Sequence, residues 1–596
     1  MDDLEKGKYI AIVDQDKVTD EVRDIATKYD PLNRSGRGEG FHVDDDGELH
    51  IDDENVMEEH RLIEKKIPND AIKIVRLPTE EGQLVHQYAQ NGFRLHELPA
   101  PVEGKVVGLL GRNGTGKSTA LKILAGLLKP NLGNYDEDVS WDELIQQFRG
   151  TEIQNHLEAL KEGEVEAAYK PQQVDRIPEE NAGTVQELLE ANDERNALDE
   201  LVERLELDAV ADRPLDELSG GELQRVAVAA TLCKDADLYL VDEPSSYLDV
   251  GQRLNLARLL RDVAAERQVM VVEHDLATLD LLSDNIHILY GEPGGFGVVS
   301  NPMGVRNGIN RFLEGMLPEQ NLQIREASID FHTRKERQVG EEADILSFPA
   351  LEKAFDTFSL ATEAGTIHEQ EVVGILGRNA LGKTTFAKML AGALEPDSGS
   401  VPEQVDISYK PQYIDTDFDG TVRQLLSREA DIYAQRFKTR IKNPFDLEPL
   451  YESDVESLSG GELQRVGIAL ALARDADLYL LDEPSAYLDV DRRVQLAKQL
   501  RTFVEKEETA CVVVDHDGGR HQPLPRDDGC DVPPRPGHRT PTREQAGEPE
   551  GQGAERGRRV LRRLIRGLEQ VGEHAVIPFQ VLDESSDRTG NVFNRP

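Results

Sequence analysis

Residues 105–130 read KVVGLLGRNGTGKSTALKILAGLLKP, and residues 371–396 read EVVGILGRNALGKTTFAKMLAGALEP. In both, an apolar, β-branched run enters G-x-x-x-x-G-K-[ST] and gives way to a helix, the frame in which that string is a P-loop. Glycine-rich turns aim backbone amides at anionic oxygens, and the helix N-terminus adds the positive end of its dipole. Gly111, Asn113, Gly114, Gly116, Lys117, Ser118 and Thr119 are therefore expected around one polyphosphate. Gly377, Asn379, Gly382, Lys383, Thr384 and Thr385 are expected around another. The lysines bring charge to the β- and γ-phosphates, and the Ser118 and Thr384 hydroxyls can ligate Mg²⁺. ATP with Mg²⁺ is the expected ligand of each copy.

The repeat continues beyond the P-loops. YKPQ at 169 returns at 409, LSGGELQR at 218 returns at 458, and LYLVDEPSSYLDV at 238 returns as LYLLDEPSAYLDV at 478. VVEHD at 271 has its partner in VVDHD at 513. One order met twice means two homologous α/β domains in tandem, each with a parallel sheet carrying its motifs at strand ends. The strands LYLVDE and LYLLDE deliver Asp242-Glu243 and Asp482-Glu483. The aspartates suit Mg²⁺, and the glutamates suit polarising an attacking water. Ser219-Gly220-Gly221 and Ser459-Gly460-Gly461 precede helices whose free amides can bind anionic oxygens. A change in repeat spacing locates an insertion in the first copy at about 131–165. Its apolar positions Leu144, Ile145, Phe148, Ile153, Leu157 and Leu160 fall at helical spacing broken by Arg149-Gly150. They predict a helix-loop-helix suited to docking.

Composition narrows the function classes. With 114 acidic residues against 68 basic ones, the formal charge is -46. Such a balance argues against generic electrostatic nucleic-acid binding unless basic residues are focused in patches. A lysine-poor acidic surface keeps halophile proteins hydrated where salt screens charge over short distances, and halophilic adaptation is the reading adopted. No apolar run approaches the ~18 residues of a membrane span, and the opening MDDLEKGKY lacks the pattern of a secretory signal. A cytoplasmic protein without a membrane partner is expected. Cys233, Cys511 and Cys530, none in a close pair, offer neither a disulfide framework nor a cysteine-rich metal site.

With P-loop, strand-end carboxylates and LSGGELQR in this order, each copy resembles the ABC ATPase superfamily. The resemblance implies that Gln172 and Gln412 are Q-loop residues near Mg²⁺ and the attacking water. It also implies that Asp249 and Asp489 fall in D-loops and that His274 and His516 are switch histidines sensing the γ-phosphate. The two domains of one monomer would stack head to tail. Site one would unite Lys117, Ser118, Gln172, Asp242, Glu243 and His274 with Ser459 and Gly461. Site two would unite Lys383, Thr384, Gln412, Asp482, Glu483 and His516 with Ser219 and Gly221. For adenine stacking upstream of each P-loop, Tyr88 and Phe348 are the first choices, with Phe93, Phe355 and Phe358 in competition.

A more specific likeness surrounds these motifs. PNLGNYD at 130, FRGTEIQN at 148, KPQQVD at 170 and DEPSSYLDV at 242, with an N-terminal module and the linker 301–331, closely resemble the RNase L inhibitor family. Its members are ABC-type ribosome recycling factors of archaea and eukaryotes, and the likeness runs from about Tyr9 to Asp517. It implies a ferredoxin-like domain at 1–78, cassettes at 79–300 and 332–517, and a hinge at 301–331. It further implies ATP-driven splitting of ribosomes, with ribosomal RNA, ribosomal protein and a release factor as partners. Arg306, Arg311 and Arg325 are hinge cations that could meet phosphates.

The chain departs from that family in two places. Family members hold two 4Fe-4S clusters on cysteine runs of the C-x2-C-x2-C-x3-C-P type. Here Met57, His60, Ile63 and Ile67-Pro68 stand at those positions, and Asp30 stands where a cysteine would precede a proline. No iron-sulfur cluster is expected, as in a haloarchaeal-type member, and the module is expected to rest on Ile10, Ile12, Val13, Ile72, Ile74 and Val75. From Gly518 the text turns arginine-, glycine- and proline-rich, where the first copy continues LATLDLLSDNIHILYGEP. Residues 518–596 read as a disordered or frame-shifted tail, leaving the second cassette without its last strand and its site the slower one. The competing functions are an energising ATPase subunit of a membrane transporter and a hydrolysis-poor ribosome-binding regulator.

Overall fold

The computed structural model describes residues 9–36, 40–44, 47–67, 71–77, 82–136, 138–318, 322–325, 328, 343–355, 358–375, 377, 381–402, 404–411, 418–515 and 579–582. In the first cassette, the strand Val106–Gly111 is buried at every position, as a central parallel strand covered on both faces must be. It lies between Gln268–Val272 and Asn285–Glu292, parallel to both. Leu238–Asp242 and Ala167–Lys170 extend the parallel sheet on one side. Phe296–Val299, Arg94–His96, Leu84–Gln87 and Met303–Gly304 complete nine strands on the other. Val272 pairs with both Leu109 and Asp242, so the P-loop and the strand-end carboxylates Asp242-Glu243 leave the sheet at the same edge.

The second cassette repeats this order in four parallel strands, Val372–Ile375, Ala510–Val514, Leu478–Asp482 and Ile407–Lys410. No counterpart of Asn285–Glu292 joins them among the described residues. In the first copy that strand buries Ile286, Ile288, Leu289 and Tyr290, and residues 518–535, which stand at the equivalent place in the second copy, contain no such apolar run. The expected disorder of 518–596 lies outside the described residues except at Phe579–Leu582, whose backbone pairs antiparallel with Ser359–Thr362.

The insertion forms two helices, Trp141–Gln147 and Glu152–Glu162. Leu144, Phe148, Ile153 and Leu157 are buried, and Phe148, Ile153 and Leu157 join the core of the first cassette, leaving the charged faces outward. The linker contains the helix Val305–Glu314, which presents Val305, Ile309 and Phe312 to an apolar cluster.

The N-terminal module pairs Tyr9–Val13 antiparallel with Ile72–Arg76 beside the helix Asp20–Tyr29. Strand alternation divides its expected core. Tyr9, Ala11, Val13, Ile72 and Ile74 face inward with Phe41, Ile51 and Ile63. Ile10 instead packs into the first cassette's cluster, with Val75 against it, and a Cβ on Gly295 would strike Ile12 at 2.1 Å. Half of the expected set is therefore interface, and the module's own core is larger than the sequence suggests.

Candidate nucleotide sites

The P-loop helices Lys117–Leu124 and Lys383–Leu390 start from Gly116 at φ 90° and Gly382 at φ 84°, a left-handed turn that a side chain would strain. Gly114 has φ 75°; Asn379 and Ala380 lie outside the described residues. Lys117 Nζ donates to Gly111 O at 3.0 Å and Arg112 O at 2.8 Å, and Lys383 Nζ to Gly377 O at 2.7 Å. Thr119 and Thr385 sit one residue after Ser118 and Thr384, in the first turn of each helix.

Around Glu243 the predicted catalytic groups converge. Gln172 Nε2 donates to Glu243 Oε1 at 2.7 Å, His274 Nε2 lies 3.1 Å from the same oxygen, and Ser118 Oγ donates to Asp242 Oδ2 at 2.6 Å. Burial pushes the Glu243 carboxyl up, but the His274 imidazole, with Lys117 and Lys170 behind it, overrides this and holds it at about 2. Asp242 moves the other way, raised by burial and by its neighbour Glu243. Glu243 and Glu483 have φ 47° and 46°, conformations that persist only where the surroundings enforce them.

The enforcing residues were missed by the sequence reading. Gln224 Nε2 donates to Glu243 O at 2.7 Å, and Gln464 Nε2 makes the same bond to Glu483 O. Buried Lys170 donates to Asp242 O at 2.9 Å and Lys410 to Asp482 O at 3.0 Å. Burial lowers each lysine to about 8. The signal was present, since YKPQ and LSGGELQR repeat their lysine and glutamine in both copies.

Ser219 and Ser459 close capping boxes with Glu222 and Glu462 at the starts of Gly220–Cys233 and Gly460–Ala473, the local reason these helices begin there. Gly220 and Gly460 lie against the Tyr247 and Tyr487 rings, and Gly461 against Tyr487 O. The cassettes meet through their D-loops. Asp489 Oδ2 accepts the Asn113 amide at 3.2 Å and Tyr247 OH meets Tyr487 OH at 2.7 Å. Burial lowers both P-loop lysines, while the opposite cassette's D-loop carboxylate pulls each back, Asp489 on Lys117 and Asp249 on Lys383. Gln412 and His516 lie outside the described residues.

Two assignments change. Phe348 is 3% exposed, edge-on to Phe386 at 5.7 Å, so its ring belongs to the core and cannot receive a base. Phe355, 43% exposed and stacked on Phe358 at 5.1 Å, is the open aromatic. Tyr88, 51% exposed, lies with its hydroxyl 3.2 Å from Thr119 Oγ1. Among the hinge cations, Arg325 is tied to Asp491 at 2.7 Å and Arg311 to Glu314 at 3.2 Å, while Arg306 remains largely exposed near Asp280.

In the N-terminal module, Asp30 and His60 are both fully buried, with His60 Nε2 3.3 Å from Asp30 Oδ2. Asp30 also accepts the amides of Leu32, Asn33 and Phe41. Ile63 and Ile67 pack in the same core.

The profile of the ABC transporter family matches residues 102–246 and 362–486. An uncharacterized ABC transporter ATP-binding protein of Methanocaldococcus jannaschii is 47% identical over 513 residues, 85% of each chain. The translation initiation factor RLI1 of Chaetomium thermophilum is 43% identical over 518 residues, again 85% of each. The chain belongs to the RNase L inhibitor family. Its fold superposes with a TM-score of 0.81, at 47% identity over 86% of both chains, on a solved structure of ribosome-bound archaeal Pelota and ABCE1. This RNase L inhibitor family member is an ATP-hydrolysing ABC protein with two cassettes. No helix among its described residues is long and apolar enough to cross a membrane.

Proposed function

We propose that this chain is a cytoplasmic recycling factor that couples ATP binding and hydrolysis at two composite sites to the splitting of ribosomes into subunits. The observation that carries this is the likeness over 86% of both chains to an ABCE1 described as ribosome-bound with Pelota. A further relative, 51% identical over 74% of this chain at a TM-score of 0.69, is an archaeal recycling factor in complex with the ribosomal stalk protein aP1. Ribosomal subunits are the proposed partners, with a release factor beside them. The helix pair at 141–162 and the exposed Arg306 are the proposed contact elements.

In site one, Lys117 neutralises the β- and γ-phosphates, and Ser118 Oγ with Asp242 and Gln172 would hold Mg²⁺. Asp242 Oδ1 is buried without a hydrogen-bond donor, beside the Ser118 hydroxyl, which suits a cation. Mg²⁺ held there would offset the negative charge of the phosphates. Glu243, ionised at neutral pH, takes the proton of the attacking water, and His274 and Gln172 hold its carboxylate in place. Ser459 and Gly461 close the site from the second cassette. Site two uses Lys383, Thr384, Gln412, Asp482, Glu483 and His516 with Ser219 and Gly221. Tyr88 stacks on one adenine and Phe355, not Phe348, on the other.

The N-terminal module is a ferredoxin-like domain without a cluster. Supporting this, the residues at the cysteine positions bond and pack against one another, Asp30 with His60 and Ile63 within the apolar core. Sucrose-gradient sedimentation of 70S ribosomes with the protein and ATP, in high salt, tests the function. Separated subunits with ATP, and protein retained on the small subunit with a nonhydrolysable analogue, are expected. Co-purification with a membrane partner and no effect on ribosomes would replace this reading with the transporter role.

A further inference from the structure

Asp489, Val490 and Asp491 open the helix Val490–Glu507 of the second cassette, and each reaches out of it. Asp489 accepts the amide of Asn113 in the first P-loop. Val490 is 2% exposed, inserted in the cluster of Ile286 from the first cassette with Ile309 and Phe312 from the linker helix. Asp491, 7% exposed, receives Arg325 Nη2 at 2.7 Å and Nε at 3.2 Å, and stands 3.6 Å from Arg112 Nε of the first P-loop. Arg325 is anchored in turn, its guanidinium lying over the Phe312 ring at 4.9 Å.

The repeat supplies an internal control. Asp249 caps its helix as Asp489 does, at 3.0 and 2.9 Å. The next two residues differ in chemistry or environment. Val250 is 54% exposed, and Gly251 offers no carboxylate. The two residues after the capping aspartate are thus buried and paired in the second cassette, whereas in the first Val250 is exposed and Gly251 has no side chain to pair.

We propose that Val490 and Asp491 are positioning residues that latch ATP site one to the linker, and that Val250 and Gly251, at the corresponding positions of site two, form no such latch to the linker among the described residues. To part Asp489 from Asn113, the start of the helix must withdraw. That exposes Val490 and strips Arg325 and Arg112 of a shared, largely desolvated carboxylate, a loss that acts on dissociation rates. Nucleotide release at site one is therefore slow and governed by the linker, while site two exchanges independently of it. This rests on the composite-site reading above.

The test is stopped-flow release of a fluorescent ADP from the full chain. Lys383→Ala confines binding to site one and Lys117→Ala confines it to site two, each lowering the stoichiometry by one. Asp491→Asn should speed release from site one about tenfold and leave site two unchanged. Arg325→Gln, which breaks the same bond from the linker, should reproduce that selectivity, and Asp491→Glu should restore slow release. Equal acceleration at both sites, or none at site one, overturns the latch. A stoichiometry unaltered by either lysine substitution overturns the composite-site reading and the latch with it.

Discussion

Tyr247 and Tyr487 join hydroxyl to hydroxyl across the two cassettes at 2.7 Å. The residues occupy the same repeat position and share a left-handed backbone, φ 64° and 61°. Each lies four residues beyond a strand-end glutamate, Glu243 or Glu483, and covers an LSGGELQR glycine of its own cassette, Gly220 or Gly460. A single bond therefore connects the catalytic strand ends and signature helices of both halves.

Because that bond is one and shared, its loss should be non-additive. Tyr247→Phe and Tyr487→Phe are each expected to weaken ATP-driven closure by about 1 kcal/mol, and the double variant by no more than either single one. A double-mutant cycle on the ATP dependence of turnover reads this. Additive losses would mean that the hydroxyls act separately.

Sequence was legible where chemistry fixes residue type. Lys117, Ser118, Asp242 and Glu243 could be read because phosphate, Mg²⁺ and a water-polarising carboxylate demand them in a known frame. Residues acting through backbone atoms were less visible. Lys170 and Gln224 serve the carbonyls of Asp242 and Glu243, and no spacing rule announces a lysine that bonds a carbonyl. Phe348 was misassigned for want of register. In Asp344–Phe348, the alternation of Leu346 and Phe348 against Ser347 places both apolar residues inward. The Arg325–Asp491 pair joins residues 166 apart in sequence, beyond the reach of any local pattern.

The buried Asp30 gives a signed pH prediction. Burial raises its carboxyl, but the His60 bond and the Phe41 and Asn33 amides outweigh this and hold it below its ordinary value near 3.8. A carboxylate lowered in the folded state contributes stability above the unfolded value, and loses that contribution as pH falls through the folded one. Asp30→Asn, which turns an acceptor into a donor facing a backbone amide, should cost about 1–3 kcal/mol at pH 7. The difference from wild type should shrink below pH 4 in thermal melts. A constant difference across pH would exclude ionisation as the cause.

The same pair bears on iron. With Asp30 and His60 closed on each other and Cys233 and Cys511 both buried in the cassettes, anaerobically purified protein should contain no iron or acid-labile sulfide. Stoichiometric iron with 4Fe-4S absorption would contradict the cluster-free reading.

The two ATP sites should hydrolyse at different rates, with site one the faster. In the first cassette, Glu243 is flanked by Gln172 and His274, and its parallel sheet is closed on the far side by Asn285–Glu292. Among the described residues of the second cassette, no parallel strand takes that edge of Val372–Ile375. Among the described residues, none supplies side chains equivalent to Ile286, Ile288 and Leu289, all under 2% exposed in the first cassette. Packing lost beside a catalytic strand lowers local stability by a few kcal/mol for each large buried side chain, and positioning of Glu483 should weaken with it. Glu243→Gln keeps shape but removes the base, so it should lower turnover at least about 100-fold while ATP binding persists. Glu483→Gln should lower it much less. Single-turnover measurements on each variant decide the matter, and a larger loss from Glu483→Gln would reverse the ranking. Replacing residues 518–535 with a copy of the first cassette's LATLDLLSDNIHILYGEP should raise turnover in the Glu243→Gln background. No gain there would place the cause of the asymmetry in the second P-loop, where Ala380-Leu381 replaces Gly114-Thr115.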